Sequence, residues 1–358
     1  YFGLIRNFRR HAFLLLVLFG ASPAVCSCFV AGRPHELQPL GDNTMYLPHA
    51  TSLRMGRLGY QSDAQSSLAV SYNNLEGYGA SLEKALTEPY PAYEKVGIRN
   101  PGGDYNQLHT SLLQIENEFY GTIRPKRVIH PGERPLHALR ERGVEYVEVR
   151  LMDLNPFEIL GISAATARFL DVFLLHCLLT DSPPDTPEEI AELSRNQHRT
   201  AATGRDPALL LERAGAQVKL TDWGHEVLAG CEPIAHAMDQ AMGGTAYTEA
   251  WRAARAALSA PEQLPSARVL QAVQATQGQS FKNFVAEQSH STRDAFLMQP
   301  YPDALRDRYD HMAVASMEEQ RRIERSDTMP FEEYRRQYVS PERLGLRPGA
   351  VMVGAESP

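Results

Sequence analysis

The chain has 358 residues, 43% of them hydrophobic and 22% charged, which is enough apolar material for a large globular core and the wrong composition for a disordered or fibrous protein. A formal net charge of −7 with no dense Lys/Arg block excludes nucleic acid as the main partner, because neutralising phosphates needs a basic face. Cys26, Cys28, Cys177 and Cys231 include no CxxC pair and no His/Cys cluster at zinc spacing, so reduced thiols are expected, without a disulfide framework or structural zinc.

Arg6, Arg9 and Arg10 precede the apolar run 12–19, and Ala21-Ser22-Pro23-Ala24 follows, an imitation of a secretory signal. The run is shorter than the roughly 20 apolar residues a membrane span needs. A buried helix ending near Gly20, with that glycine as a left-handed cap, is the competing reading. Residues 31–62 are rich in Gly, Pro, Ser, Thr and Asn without helical periodicity and read as a long loop region. Residues 72–88 predict a helix that Pro89-Tyr90-Pro91 ends.

From Leu112 to Arg127 polar and apolar residues alternate, predicting a strand with Gln114, Glu116, Glu118 and Tyr120 on one face. A second strand is predicted from Val144 to Leu151, with Tyr146, Glu148 and Arg150 opposite Val147, Val149 and Leu151. In an antiparallel sheet the apolar face packs on helices and the charged face is open or ligand-filled. From about residue 163 the pattern turns helical almost to the end. Residues 165–179 are strongly apolar, Thr186-Pro187-Glu188-Glu189 marks a capped helix start, and 224–258 and 264–276 continue the helical reading. Residues 303–338 are charged enough to be a solvated surface helix. The expected class is α+β, with 1–162 as a loop-and-strand catalytic part and 163–358 as a mostly helical part packing on it. The twelve histidines show no ligand spacing.

Taken alone, Glu148 and Arg150 fit a surface ladder of opposite charges as well as a site. Their company decides. The text Glu145-Tyr146-Val147-Glu148-Val149-Arg150 with Asp153-Leu154-Asn155-Pro156-Phe157 resembles a signature of the proteobacterial type of glutamate–cysteine ligase. So does Leu113-Gln114-Ile115-Glu116-Asn117-Glu118 followed by Tyr120 and Ile123-Arg124-Pro125-Lys126-Arg127. Two more blocks agree in order: Leu18-Phe19-Gly20-Ala21-Ser22-Pro23-Ala24, and Ala50-Thr51-Ser52-Leu53-Arg54 leading to Leu58-Gly59-Tyr60. The likeness is dense over 1–180 and looser beyond. His49 stands where relatives often have Tyr, and 195–230 drifts.

The resemblance implies a curved antiparallel sheet of the glutamine synthetase-like ligase type with outer helices and a mostly helical carboxyl-terminal half. It implies ATP-dependent ligation of glutamate, through its γ-carboxylate, to cysteine by way of a γ-glutamyl phosphate. Magnesium, with manganese as a substitute, is the implied cofactor and ATP the co-substrate. Glu148 would be a metal ligand and Arg150 the catalytic group on the transferring phosphoryl; Arg54, Tyr60 and Tyr120 would line the cysteine site. Glu116, Glu118, Arg124, Lys126 and Arg127 stay unassigned between site and structure. The implied setting is a cytoplasmic monomer with small-molecule substrates and neither nucleic acid nor membrane as partner. The family's chain begins well before Tyr1, in a portion that carries most of the acidic metal ligands, so this stretch is expected to be inactive alone. Two alternatives stand beside this: another carboxylate–amine ligase of the same fold, and, from residues 6–28, a secreted or lipid-anchored binding protein.

Overall fold

The computed structural model describes residues 1–59, 64, 65 and 68–345. In chain order it runs α1 (Phe2–Phe19), β1 (Ala24–Cys26), α2 (Ser27–Val30), β2 (Gln38–Leu40), β3 (Thr44–Tyr46), α3 (Leu75–Thr87), α4 (Pro91–Val96), β4 (Ile123–Lys126), α5 (Pro135–Arg142) and β5 (Tyr146–Val149). It continues with α6 (Ala164–Leu179), α7 (Pro187–Thr203), β6 (Leu210–Arg213), β7 (Ala216–Lys219), α8 (Leu220–Met242), α9 (Ala246–Leu258), α10 (Pro265–Ala275), α11 (Phe281–Leu297), α12 (Asp303–Ser326) and α13 (Phe331–Tyr338). The class is α+β, as expected.

The signal-like segment is the central helix. Every residue from Ala12 to Leu18 is buried, and Ile5, Phe8, Leu14, Leu15 and Leu16 have no exposed surface at all. A helix apolar around its whole circumference belongs inside protein. Here α6, α7, β4 and α9 enclose it, in a core that also takes in Leu82, Phe173, Trp251 and Leu344. No helix among the described residues is long and apolar enough to cross a membrane. The helix ends at Gly20, but with φ −63° and ψ 133° rather than in the left-handed cap. Glycine is required there for space, since a Cβ would lie 2.5 Å from the Leu16 carbonyl oxygen and 2.7 Å from that of Thr51.

The stretch 31–62 is less of a loop than its composition suggests. It contributes β2 and β3, which join β1 in an antiparallel sheet ordered β1-β3-β2. Strands this short carry too little alternation to register in a sequence. The strand predicted over 112–127 forms only at its end, as β4. Upstream, the Glu118 carboxylate accepts the Gln114 N–H at 2.6 Å, and residues 116–118 wind into a 3₁₀ turn. A side chain bonding to nearby backbone competes with the ladder and wins here. β5 forms within its predicted range and pairs antiparallel with β4, placing Arg124 opposite Glu148 and Lys126 opposite Tyr146. Ile123, Val147 and Val149 turn into the core.

The capped start at Thr186 holds, its hydroxyl accepting the Glu189 N–H at 3.2 Å. The helical reading of the second half misses the hairpin of β6 and β7. Its turn puts Ala214 at φ 52° and Gly215 at φ 77°, a primed two-residue turn that ordinarily announces itself with Asn or Asp at the first position. The charged segment 303–338 divides into α12, which has no buried residue, and α13, which returns to the body.

Candidate functional site

Strand alternation on β5 brings Tyr146, Glu148 and Arg150 to the polar face of the two-stranded ribbon. Arg150 Nη1 donates to both carboxylate oxygens of Glu148 at 3.3 Å. Lys126 Nζ stands 3.6 Å from Glu148 Oε2, and Arg124 is the cross-strand neighbour. One carboxylate therefore lies among three cations. Arg124 is buried, and that burial, with Arg150 close by, lowers its guanidinium below the ordinary value. Its Nε has no hydrogen-bond partner. The pair itself is part-exposed, at 37% for the Glu148 side chain and 33% for Arg150.

Such an excess of positive charge suits a polyanion, and an Arg fork suits phosphoryl oxygens in particular. No cluster of three or more His, Cys, Asp or Glu that could hold a metal occurs among the described residues. Magnesium, however, often takes only one or two carboxylates and completes its shell with water and phosphate, so Glu148 fits as one such ligand.

Arg54 sits in the 3₁₀ turn Leu53–Met55. Its Nε donates to Asp153 Oδ1 at 2.6 Å, Nη2 donates to the Met152 carbonyl at 2.8 Å, and both Nη atoms reach the Arg150 carbonyl at 3.3 Å. Asp153, only 4% exposed, uses its other oxygen to accept the Ala21 N–H at 2.8 Å and the Ser22 hydroxyl at 2.7 Å. Arg54 is thus joined to the end of the strand that carries Glu148 and Arg150. Neither Asp153 nor Ser22 stands out as a site residue in the sequence. Both lie within the blocks that carry the family resemblance, which is the signal that could have found them.

Tyr120 is 37% exposed and lines a cavity of about 460 Å³ with Arg9, Gln65, Tyr72, Thr122 and Asn196. A second cavity, about 350 Å³, opens at the other end of the ribbon beside Arg124, Lys126 and Tyr146. Glu148, Arg150 and Arg54 line neither. Tyr60 lies outside the described residues. Glu116 leaves the strand face altogether: it is buried against Arg134, Oε2 to Nη2 2.7 Å, with side chains 5% and 2% exposed.

At the level of fold, the chain resembles a crystal structure of a bifunctional glutathione synthetase from Pasteurella multocida, with TM-score 0.56 and 24% identity over 83% of this chain and 32% of that one. A family profile described as glutamate-cysteine ligase matches residues 1–200, and the chain belongs to that family. It is 48% identical to the glutamate–cysteine ligase of Janthinobacterium sp. over 93% of this chain and 63% of the relative. It is 45% identical to that of Alcanivorax borkumensis over 94% and 65%. The crystal structure of the Francisella tularensis glutamate–cysteine ligase in complex with AMP matches with TM-score 0.88 and 33% identity, covering 95% of this chain and 66% of that one. This chain spans a little under two thirds of the length of these curated relatives.

Proposed function

We propose that this chain carries part of the active site of a glutamate–cysteine ligase, which uses ATP to couple the γ-carboxylate of glutamate to the amine of cysteine. The carrying observation is Glu148 on β5 and Arg150 just past its end, Nη1 to carboxylate 3.3 Å, bordered by Lys126 and Arg124. Family membership supports it, and so does the AMP in the Francisella relative.

A carboxylate is a poor electrophile. In the proposed reaction a glutamate γ-oxygen attacks the γ-phosphorus of ATP, ADP leaves, and the acyl phosphate forms. The amine of cysteine then attacks the acyl carbon, phosphate departs, and the amide remains. Phosphoryl transfer mainly needs positioning and charge neutralisation. Arg150 lays its planar fork on the transferring phosphoryl oxygens, and Lys126 adds a second positive charge at the mouth of the ribbon. Glu148 would hold magnesium, or manganese in its place, which when bound supplies further charge neutralisation on phosphate. Arg54, oriented by Asp153, pairs with the carboxylate of cysteine, and the hydroxyls of Tyr60 and Tyr120 donate to the same substrate.

The β4–β5 ribbon is, on this reading, part of a curved antiparallel sheet whose concave side holds the reactants. Residues 1–162 supply the site and 163–358 its helical cover, in a cytoplasmic monomer. The test is phosphate release from ATP that requires both glutamate and cysteine, measured on the full product of the gene encoding this chain. Glu148→Gln and Arg150→Lys are each expected to lower kcat by about 10²- to 10³-fold. Turnover unchanged in both variants overturns the assignment; equal turnover with other amines in place of cysteine overturns the acceptor alone.

A further inference from the structure

Two thiols meet where β1 turns into α2. Cys26 is the last residue of β1 and pairs with Thr44 of β3. The next residue, Ser27, donates its N–H to the Asn43 carbonyl at 2.9 Å, so the chain turns at once and brings Cys28 back over Cys26. The Cys28 thiol donates to Cys26 Sγ at 2.8 Å. The corner is braced from behind: Thr44 Oγ1 donates to the Gln279 carbonyl at 3.0 Å and accepts the Phe281 N–H at 2.8 Å.

Accessibility and charge separate this pair from the other cysteines. Cys28 is exposed and Cys26 half-buried, whereas Cys177 and Cys231 are buried. Burial raises both of the latter, Cys231 to about 12. Cys26 moves the opposite way. The thiol hydrogen bond from Cys28 lowers it, the Cys28 backbone N–H lowers it further, and Lys282 adds a smaller attraction. The same bond raises Cys28. Two accessible thiols in contact, the one at Cys26 made the more acidic by the bond from the other, are the arrangement that thiol–disulfide exchange needs: one sulfur to attack and one to resolve.

We propose that Cys26 and Cys28 form a redox-active dithiol whose co-substrate is a low-molecular-weight disulfide. The Cys26 thiolate attacks one sulfur of the disulfide RSSR, whose S–S bond breaks; RS⁻ leaves and takes up a proton as RSH. Cys28, giving its proton to solvent, attacks Cys26 Sγ of the mixed disulfide, and the second RS⁻ leaves and is protonated. The protein loses two protons and two electrons, RSSR gains them, and a Cys26–Cys28 bond replaces the R–S–S–R bond.

The experiment treats the reduced chain with bis(2-hydroxyethyl) disulfide, quenches with an alkylating reagent and weighs the tryptic peptide spanning residues 11–54, which holds both cysteines because the Arg33–Pro34 bond resists trypsin. The wild type is expected to yield this peptide minus two hydrogens, with Cys177 and Cys231 still alkylated after denaturation. Cys28→Ser is expected to accumulate a mercaptoethanol adduct on Cys26, and Cys26→Ser to react about ten-fold more slowly. A wild-type peptide that remains fully alkylated, or that stops at the mixed disulfide, overturns the proposal. Equal rates in the two variants overturn the order of attack. Far-UV circular dichroism checks that each variant folds, and should one fail, the wild-type peptide mass still decides.

Discussion

Asp153 is the residue on which the arrangement around Arg54 depends. Its carboxylate accepts from the Arg54 guanidinium, the Ala21 amide and the Ser22 hydroxyl, so its loss strands three donors from two chain segments. Asp153→Asn is expected to destabilise the fold by about 2 kcal/mol in urea unfolding. In the ligase assay it is expected to raise KM for the acceptor amino acid about ten-fold while kcat moves less. A variant with wild-type KM would show that Arg54 does not depend on this support. His11 carries a different prediction. Its Nδ1 has no partner and is shut off from solvent, and its ring stacks on His176 at 5.7 Å. Burial, with His176 nearby, pulls it from 6.5 down to about 3. The unfolded chain therefore takes up the proton first, and the stability contribution is whole above pH 6.5 and lost as pH falls from there towards 3. Between pH 7 and pH 5 the cost is about 1–2 kcal/mol. His11→Phe should show a shallower fall in urea midpoint over that interval, and parallel slopes would contradict it. At this scale the sequence is an uneven guide. Glu148 and Arg150 are legible because period-two alternation carries through β5, whereas Glu116 and Glu118 are misplaced because each is captured locally, by Arg134 and by the Gln114 amide.

Among the elements, those with long apolar periodicity are foreseen and those defined by turns are not. α1, α6 and the Thr186 cap follow directly from side-chain chemistry. β2 and β3 have three residues each, and the β6–β7 hairpin hides behind an alanine. Ala214 at φ 52° occupies a left-handed conformation that costs an L-residue about 1 kcal/mol and costs glycine far less. Ala214→Gly is accordingly expected to be neutral or to stabilise by up to about 1 kcal/mol in urea unfolding, unlike most glycine substitutions. A loss greater than that would mean the turn does not need the left-handed backbone. The polar ribbon was legible as two strands of like character; their pairing register, which sets Arg124 across from Glu148, was not, because no tight turn joins them.

At the scale of the molecule, α12 and α13 behave oppositely. α12 buries nothing and leaves Met312, Val314, Met317 and Ile323 roughly half exposed or more. α13 is fastened: Glu332 accepts from the Tyr105 hydroxyl at 2.7 Å, Arg335 donates to the Leu108 carbonyl, and Arg134 donates to the Tyr338 carbonyl at 2.6 Å. Limited trypsin digestion is expected to cut first between Arg306 and Arg325, because little tertiary packing opposes local opening there. The released carboxyl-terminal piece should still co-elute with the body on gel filtration. First cleavage in another segment, or a piece that elutes alone, would refute this. Among the described residues Glu148 belongs to no group of three or more His, Cys, Asp or Glu that could hold a metal, so on the proposed ligase reading residues 1–358 by themselves are expected to show little turnover. Near-normal phosphate release from that stretch would count against Glu148 as one member of a larger ligand set.

The enclosure of α1 has a consequence during synthesis. The helices that cover it, α6 and α9, begin at Ala164 and Ala246, far downstream of the run they shield. At ribosomal speeds of about 5–20 residues per second, that greasy rod waits on the order of ten seconds or longer before its cover has been made. Folding of this protein should therefore lean on holding factors while the chain is nascent, and its yield should suffer most when translation slows between α1 and α6.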